Sequence, residues 1–150
     1  MTRTRPLTVA ELRALKGKRQ LTMLRIFTLD EAAAAEAARI DIVSAPLDLV
    51  SHPRYRELAP GLFSMTGVDH REAGTAEDYR RFAGRALMAG ADALYCSAGL
   101  ETVRMLTADH IPVVGHVGLV PSRNTWTGGF RAVGKTADAA LRLYQECLAY

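Results

Sequence analysis

The residues best placed to do chemistry lie around His116, in the run Ile111-Pro112-Val113-Val114-Gly115-His116-Val117-Gly118-Leu119. A short apolar strand leads straight into Gly-His-Val-Gly, which delivers an imidazole at the strand's C-terminal tip. Imidazole gains and loses a proton near neutral pH and also serves as a ligand or hydrogen-bonding group. The flanking glycines let backbone or ligand approach it closely. In parallel α/β folds this end of the strands is where ligands bind. Asp69 and His70 form a second polar pair just beyond another apolar run, where they could ligate a metal ion or simply belong to a solvated loop. Cys96 falls at a further strand tip. A thiolate there would be nucleophilic if a basic group stabilised it; no such group is placed in the sequence, and Cys96 reads as a buried strand residue. Glu101 reads as a carboxylate favouring a helix N-terminus, His52 before Pro53 as a turn residue, and Asp41 and Asp48 as surface groups flanking a strand. The glycines of Gly128-Gly129 and Gly134-Lys135-Thr136 do not follow the spacing of a phosphate loop.

The elements that must position these groups alternate along the chain. Thr8-Val9-Ala10-Glu11 and Thr28-Leu29-Asp30-Glu31 are capping boxes, opening helices to about Gly17 and Arg39. Thr75 with Asp78 opens a third, whose apolar positions Tyr79, Phe82, Ala83, Ala86 and Leu87 share one face before Gly90 ends it. Leu100 to Ala108 is a fourth helix, and Thr136 opens a fifth with Ala140, Leu143, Tyr144, Cys147 and Leu148 on one side. Strand candidates are Leu21–Phe27, Ile40–Ala45, Leu62–Thr66, Ala91–Cys96 and Pro112–Gly115. Such alternation predicts a parallel sheet of βα units. Five strands suit either an open doubly wound sheet or part of a (β/α)₈ barrel. The last helix reaches Tyr150 in full amphipathic register with no stop signal; residues 1–150 therefore read as one partial domain, cut at its C-terminal helix.

Composition narrows the class. A chain of 150 residues with 49% hydrophobic and 23% charged residues can bury one substantial core. The net charge of +3 comes from scattered basic residues, densest at Arg3, Arg5, Arg13, Lys16, Lys18 and Arg19, without the interleaved aromatics of a nucleic-acid surface. No apolar run is long enough for a membrane span, and no apolar stretch follows the N-terminal arginines as in a secretory signal. The two cysteines, Cys96 and Cys147, have no metal-ligand spacing. A reduced, cytoplasmic protein is the expectation.

From Ala89 onward the chain resembles the ketopantoate hydroxymethyltransferase family of the phosphoenolpyruvate/pyruvate barrel superfamily. The resemblance rests on Ala89-Gly90-Ala91-Asp92, on Glu101 to Thr107, on Ile111 to Leu119 with Pro121, and on Gly128-Gly129-Phe130-Arg131-Ala132-Val133-Gly134. It implies a (β/α)₈ barrel, of which this chain carries about the first five strands. It also implies transfer of a one-carbon unit from methylenetetrahydrofolate to a branched 2-oxo acid held by Mg²⁺, in pantothenate biosynthesis. Hard Mg²⁺ wants oxygen ligands, and carried over by motif the family's three carboxylate positions fall on Ala45, Gly67 and Ser97. The family's general base belongs to its second half. The resemblance thus leaves Ser44, Ser97 and His116 to bind a small 2-oxo acid, with Asp69 and His70 as substitute metal ligands and the catalytic group unassigned. Two outcomes stay open: a diverged member acting on or binding a 2-oxo acid, or a non-catalytic half-barrel. Open sheet edges predict assembly with itself or with a complementary chain that completes the barrel.

Overall fold

Threonine side chains open the helices. Thr8, Thr28 and Thr75 each accept a hydrogen bond from the backbone N–H three residues on, while Glu11, Glu31 and Asp78 accept in return from the threonine N–H. Thr136 caps its helix from Ala139 N–H, without the returning carboxylate. Each cap is worth about 1 kcal/mol. The computed structural model describes residues 4–68 and 73–150. Among them the helices are α1 (Val9–Ala14), α2 (Leu29–Ala37), α3 (Leu47–Val50), α4 (Tyr55–Leu58), α5 (Ala76–Met88), α6 (Leu100–Ala108), α7 (Asn124–Thr127) and α8 (Ala137–Ala149). The strands are β1 (Met23–Arg25), β2 (Ile42–Ala45), β3 (Phe63–Gly67), β4 (Ala93–Cys96) and β5 (Val113–Gly115), and a 3₁₀ turn spans Pro121–Arg123.

The strands form one parallel sheet in the order β1-β2-β3-β4-β5. This order decides between the two architectures the sequence allowed. A doubly wound sheet turns back past its first strand, whereas a sheet that adds every strand on the same side is a barrel wall. The fold is α/β, with βα units arranged as the first five strands of a (β/α)₈ barrel.

Register sorts the side chains onto two faces. Val43 pairs with Ser64, Ala45 with Thr66, and Leu94 with Val113. Val43, Ala45, Leu94 and Cys96 are fully buried against Ala32, Ala35, Leu49, Tyr55, Phe82, Ala86 and Leu106 of the helices. The alternate residues line the concave face, where Phe63, Met65 and Ala93 pack with Ile42, Tyr95 and with Val9 and Leu12 of α1.

Three differences from the expected elements have physical causes. The segment between β2 and β3, for which the sequence pattern predicts no helix, holds two single-turn helices, α3 and α4, which bury Leu49, Val50 and Tyr55. The apolar stripe expected on α8 is only partly covered: Leu143 is half-buried near Gly134, but Tyr144 and Leu148 are 60% and 68% exposed. Asp41, expected at the surface, is 1% exposed. It accepts from both guanidinium nitrogens of Arg19 at 3.1 and 2.8 Å and from Thr22 N–H at 3.0 Å, tying the chain before β1 to the start of β2. Asp48 is exposed, as expected.

Helix ends carry a small reserve of strain. Gly90 follows α5 at φ +94°, as expected, but the matching positions after α2 and α6 are Arg39 at φ 58° and His110 at φ 60°. A side chain costs about 1–2 kcal/mol in that conformation. Arg39 is exposed, and Arg39→Gly is expected to stabilise the fold by about 0.5–1 kcal/mol after the added freedom of the unfolded chain is subtracted. The check is a higher urea midpoint at unchanged slope.

Candidate functional site

The carboxyl ends of the strands form the barrel mouth. On the concave side, register places Arg25 beside Ser44 and Ser44 beside Met65. One layer further out lie Gly67, Tyr95 and Val114. His116 follows β5, its N–H donating to Cys96 O at 2.9 Å. Its ring stacks on Tyr95 with centroids 5.3 Å apart and planes at 24°. Gly67 puts no side chain between Ser44 and this stack; a Cβ there would make ordinary contact with the Tyr95 ring at 3.6 Å.

Of the three residues expected to bind substrate, two come together. Ser97 follows β4 beside the backbone that carries His116, and its carbonyl accepts from Arg123 Nη2 at 3.2 Å. Arg123 is held in turn by Glu146 at 2.8 Å, which raises the guanidinium's pKa, so the loop carrying Ser97 rests on α8. Ser44 stands apart, two strands away, roughly 10 Å along the sheet. Its neighbour is Arg25, whose Nη1 donates to Ser44 Oγ at 2.7 Å. Arg25 escaped the sequence reading. The signal for it was a charge alternating with Leu24 and Ile26, which marks the opposite face of a strand.

The glycines around His116 serve the chain itself. A methyl group on Gly115 would come within 2.5 Å of the Tyr150 ring, so the close approach expected for a ligand is made by Tyr150 from the helix side. The Tyr150 hydroxyl donates to Ala98 O. Gly118 turns the chain away at φ +83°. His52 Nδ1 accepts from Arg54 N–H at 3.1 Å in a turn, and Glu101 lies in the first turn of α6, both as read from sequence.

Cys96 is fully buried on the helix face, and burial pushes its thiol pKa up. Cys147 is exposed. With a thiol-specific colorimetric reagent, Cys147 is expected to react within seconds in the folded protein, and Cys96 only after denaturant is added. Fast reaction of both in the native state would overturn this placement.

A groove of about 560 Å³ lies elsewhere: it follows the concave face and the β5 edge past Met23, Ile42, Phe63, Ala93 and Val114. Its walls are mostly apolar, with Arg13, Thr107 and His110 among them, and include none of Ser44, Ser97 and His116. Ser44, Ser97 and His116 sit instead at the mouth.

The ketopantoate hydroxymethyltransferase family model matches residues 71–150. The chain belongs to that family. Relatives named 3-methyl-2-oxobutanoate hydroxymethyltransferase include one from Nitratidesulfovibrio vulgaris (strain DP4), 31% identical across 97% of this chain and 55% of its own length. One from Kosmotoga olearia is 29% identical across 87% and 57%, and one from Hyperthermus butylicus is 45% identical across 44% and 24%. The chain therefore spans about half the length of the curated relatives it matches. The first alignment runs over 174 positions against a chain of 150 residues, so that relative carries insertions. The solved 4-hydroxy-2-oxoglutarate aldolase/2-deydro-3-deoxyphosphogluconate aldolase from TTHB1 matches at a TM-score of 0.41 with 20% identity, over 71% of this chain and 56% of that one, a likeness too weak to carry an argument.

The family resemblance implies magnesium at the mouth. Asp69 and His70, the expected substitute ligands, lie outside the described residues. Among the described residues no three His, Cys, Asp or Glu side chains come together. Of the positions assigned to family carboxylates, Ala45 faces the helix layer, so no side chain there reaches the mouth, and Gly67 offers no donor. The Thr66 hydroxyl is buried without a hydrogen-bond partner, but it shares the helix face with Ala45. The side chains on the concave strand ends are a guanidinium, an imidazole, a phenol and two hydroxyls, and Glu31 and Asp48 stand apart in the first turns of α2 and α3 without joining them. Hard Mg²⁺ binds carboxylate and carbonyl oxygen, and a neighbouring guanidinium repels it. This donor set does not fit the metal.

Proposed function

We propose that this chain is a diverged member of the hydroxymethyltransferase family that binds a small, branched 2-oxo acid at the mouth formed by Arg25, Ser44, Ser97, Tyr95 and His116. The observation that carries this reading is the family match over residues 71–150, whose segment ends β4 and β5 with Ser97 and His116. A stacked imidazole over Tyr95 offers a hydrogen-bond donor or acceptor to a keto oxygen. Calorimetric titration of the protein with 3-methyl-2-oxobutanoate tests it: saturable binding that weakens in His116→Ala supports the reading, and no binding to a folded sample overturns it.

A second reading, assembly of the half-barrel with a second copy or a complementary chain, is favoured by its open edges. Among the described residues β5 pairs only with β4 and β1 only with β2, while Met23 and Phe27 are 61% and 60% exposed. An unpaired strand edge with apolar neighbours invites another strand, and the relatives are nearly twice as long as this chain. Light scattering on the purified protein decides it. A mass of twice the chain or more supports assembly, and a stable monomer at all concentrations refutes it. No described helix is long and apolar enough to cross a membrane.

A further inference from the structure

We propose that Arg25, with Ser44, anchors the carboxylate of the 2-oxo acid. The proposal rests on the reading of the mouth as a 2-oxo acid site and adds the residue that selects for the acid. Arg25 is the last residue of β1 and stands in register with Ser44 on the concave face. Its guanidinium donates to Ser44 Oγ at 2.7 Å and lies over the Phe27 ring, 4.9 Å from the centroid. Both contacts fix its orientation, and aromatic stacking leaves the edge of the planar group free.

Most of its donors remain unspent. A guanidinium has five N–H groups, and Arg25 directs one to Ser44. Arg19, Arg56, Arg80 and Arg123 each lie 2.8 Å from a carboxylate oxygen. Arg25 has no such partner among the described residues. Glu31, in the first turn of α2, accepts instead from Phe27 N–H at 2.6 Å and Thr28 N–H at 3.2 Å, so among the described residues the Arg25 guanidinium is held by a neutral hydroxyl and an aromatic ring. Carboxylates take paired N–H groups of arginine side by side, which gives both strength and orientation. The Ser44 hydroxyl accepts from Arg25 and keeps its own proton to donate to the same ligand. Gly67, on the neighbouring strand, puts no side chain between Ser44 and Tyr95. One arginine and one serine thus do for the carboxylate what the donor set cannot do through a divalent ion.

The test compares 3-methyl-2-oxobutanoate with 3-methyl-2-butanone, the same skeleton without the carboxylate, against wild type, Arg25→Gln and Arg25→Lys. Arg25 is exposed, and unchanged far-ultraviolet circular dichroism and thermal midpoint confirm that the variants fold. Losing a charge-assisted, two-pronged contact weakens binding about 10- to 100-fold. Arg25→Gln is expected to lose that much for the acid and nothing for the ketone, with Arg25→Lys in between because it keeps charge without the fork. If wild type and Arg25→Gln bind the acid equally, the anchor is wrong and the 2-oxo acid site stands. If wild type binds neither compound, the site reading itself falls, and the anchor with it.

Discussion

Replacing Asp41 by alanine is expected to destabilise the fold by about 3 kcal/mol. Its carboxylate is 1% exposed and accepts two bonds from Arg19 and one each from Thr22 N–H and Thr22 Oγ1. Removal leaves the Thr22 N–H without its partner at the start of β1 and a guanidinium without its counter-ion. Arg19 is 48% exposed in its side chain, so water solvates part of the orphaned charge and holds the cost at the low end for a broken buried pair. Asp41→Asn keeps an oxygen for Thr22 and is expected to lose about half as much. Because a domain of this size has about 5–15 kcal/mol in all, the alanine variant should show a clearly lowered urea midpoint. A loss below about 1 kcal/mol would mean that β1 is held by other contacts.

Tyr55→Ala is expected to cost about 4 kcal/mol, and Tyr55→Phe about 1. Tyr55 is fully buried on the single-turn helix α4, with its hydroxyl 2.7 Å from Ser64 Oγ of β3. Burial pushes its phenol pKa up, so the ring enters the core neutral. The Arg56 guanidinium covers the ring, 5.5 Å from the centroid, while it donates to Leu62 O at 2.8 Å and to Asp92 Oδ2 at 2.8 Å. Tyr55 fills the helix layer where the chain has no full helix between β2 and β3. Truncation leaves a cavity that two short helices cannot close, whereas phenylalanine keeps the volume and loses one hydrogen bond. Equal effects of the two variants, read by denaturant unfolding, would show that the hydroxyl and not the ring supports this layer.

The contrast between elements explains how much the sequence discloses. Capping boxes at Thr8, Thr28 and Thr75 are local chemistry, and all three stand where the residue spacing predicts. The five strands appear with ends shifted by a residue or two, most at β1, which has a neighbour on one side only. Strand order is a long-range property and needed the family resemblance or the structure. Asp41 reads as a surface group until Arg19, twenty-two residues earlier, is brought to it. The site is legible in part. Ser97 and His116 are near neighbours because they end adjacent strands, but Ser44 joins Arg25 instead, a pairing set by the register of β1 on β2. Ala45 appeared as a missing metal ligand, and only its orientation shows that it belongs to the helix layer. The glycine before His116 suggested room for a ligand and holds Tyr150, which lies thirty-five residues further on.

The central claim is that the barrel mouth of this chain grips a 2-oxo acid through its own side chains, led by Arg25 and Ser44, rather than through a carboxylate-bound ion. Calorimetric titration with 3-methyl-2-oxobutanoate, run once with a strong chelator and once with excess magnesium, tests it most directly. Saturable binding with the same affinity in both buffers is the predicted result. Binding that appears only with magnesium, or none in either buffer, would contradict it.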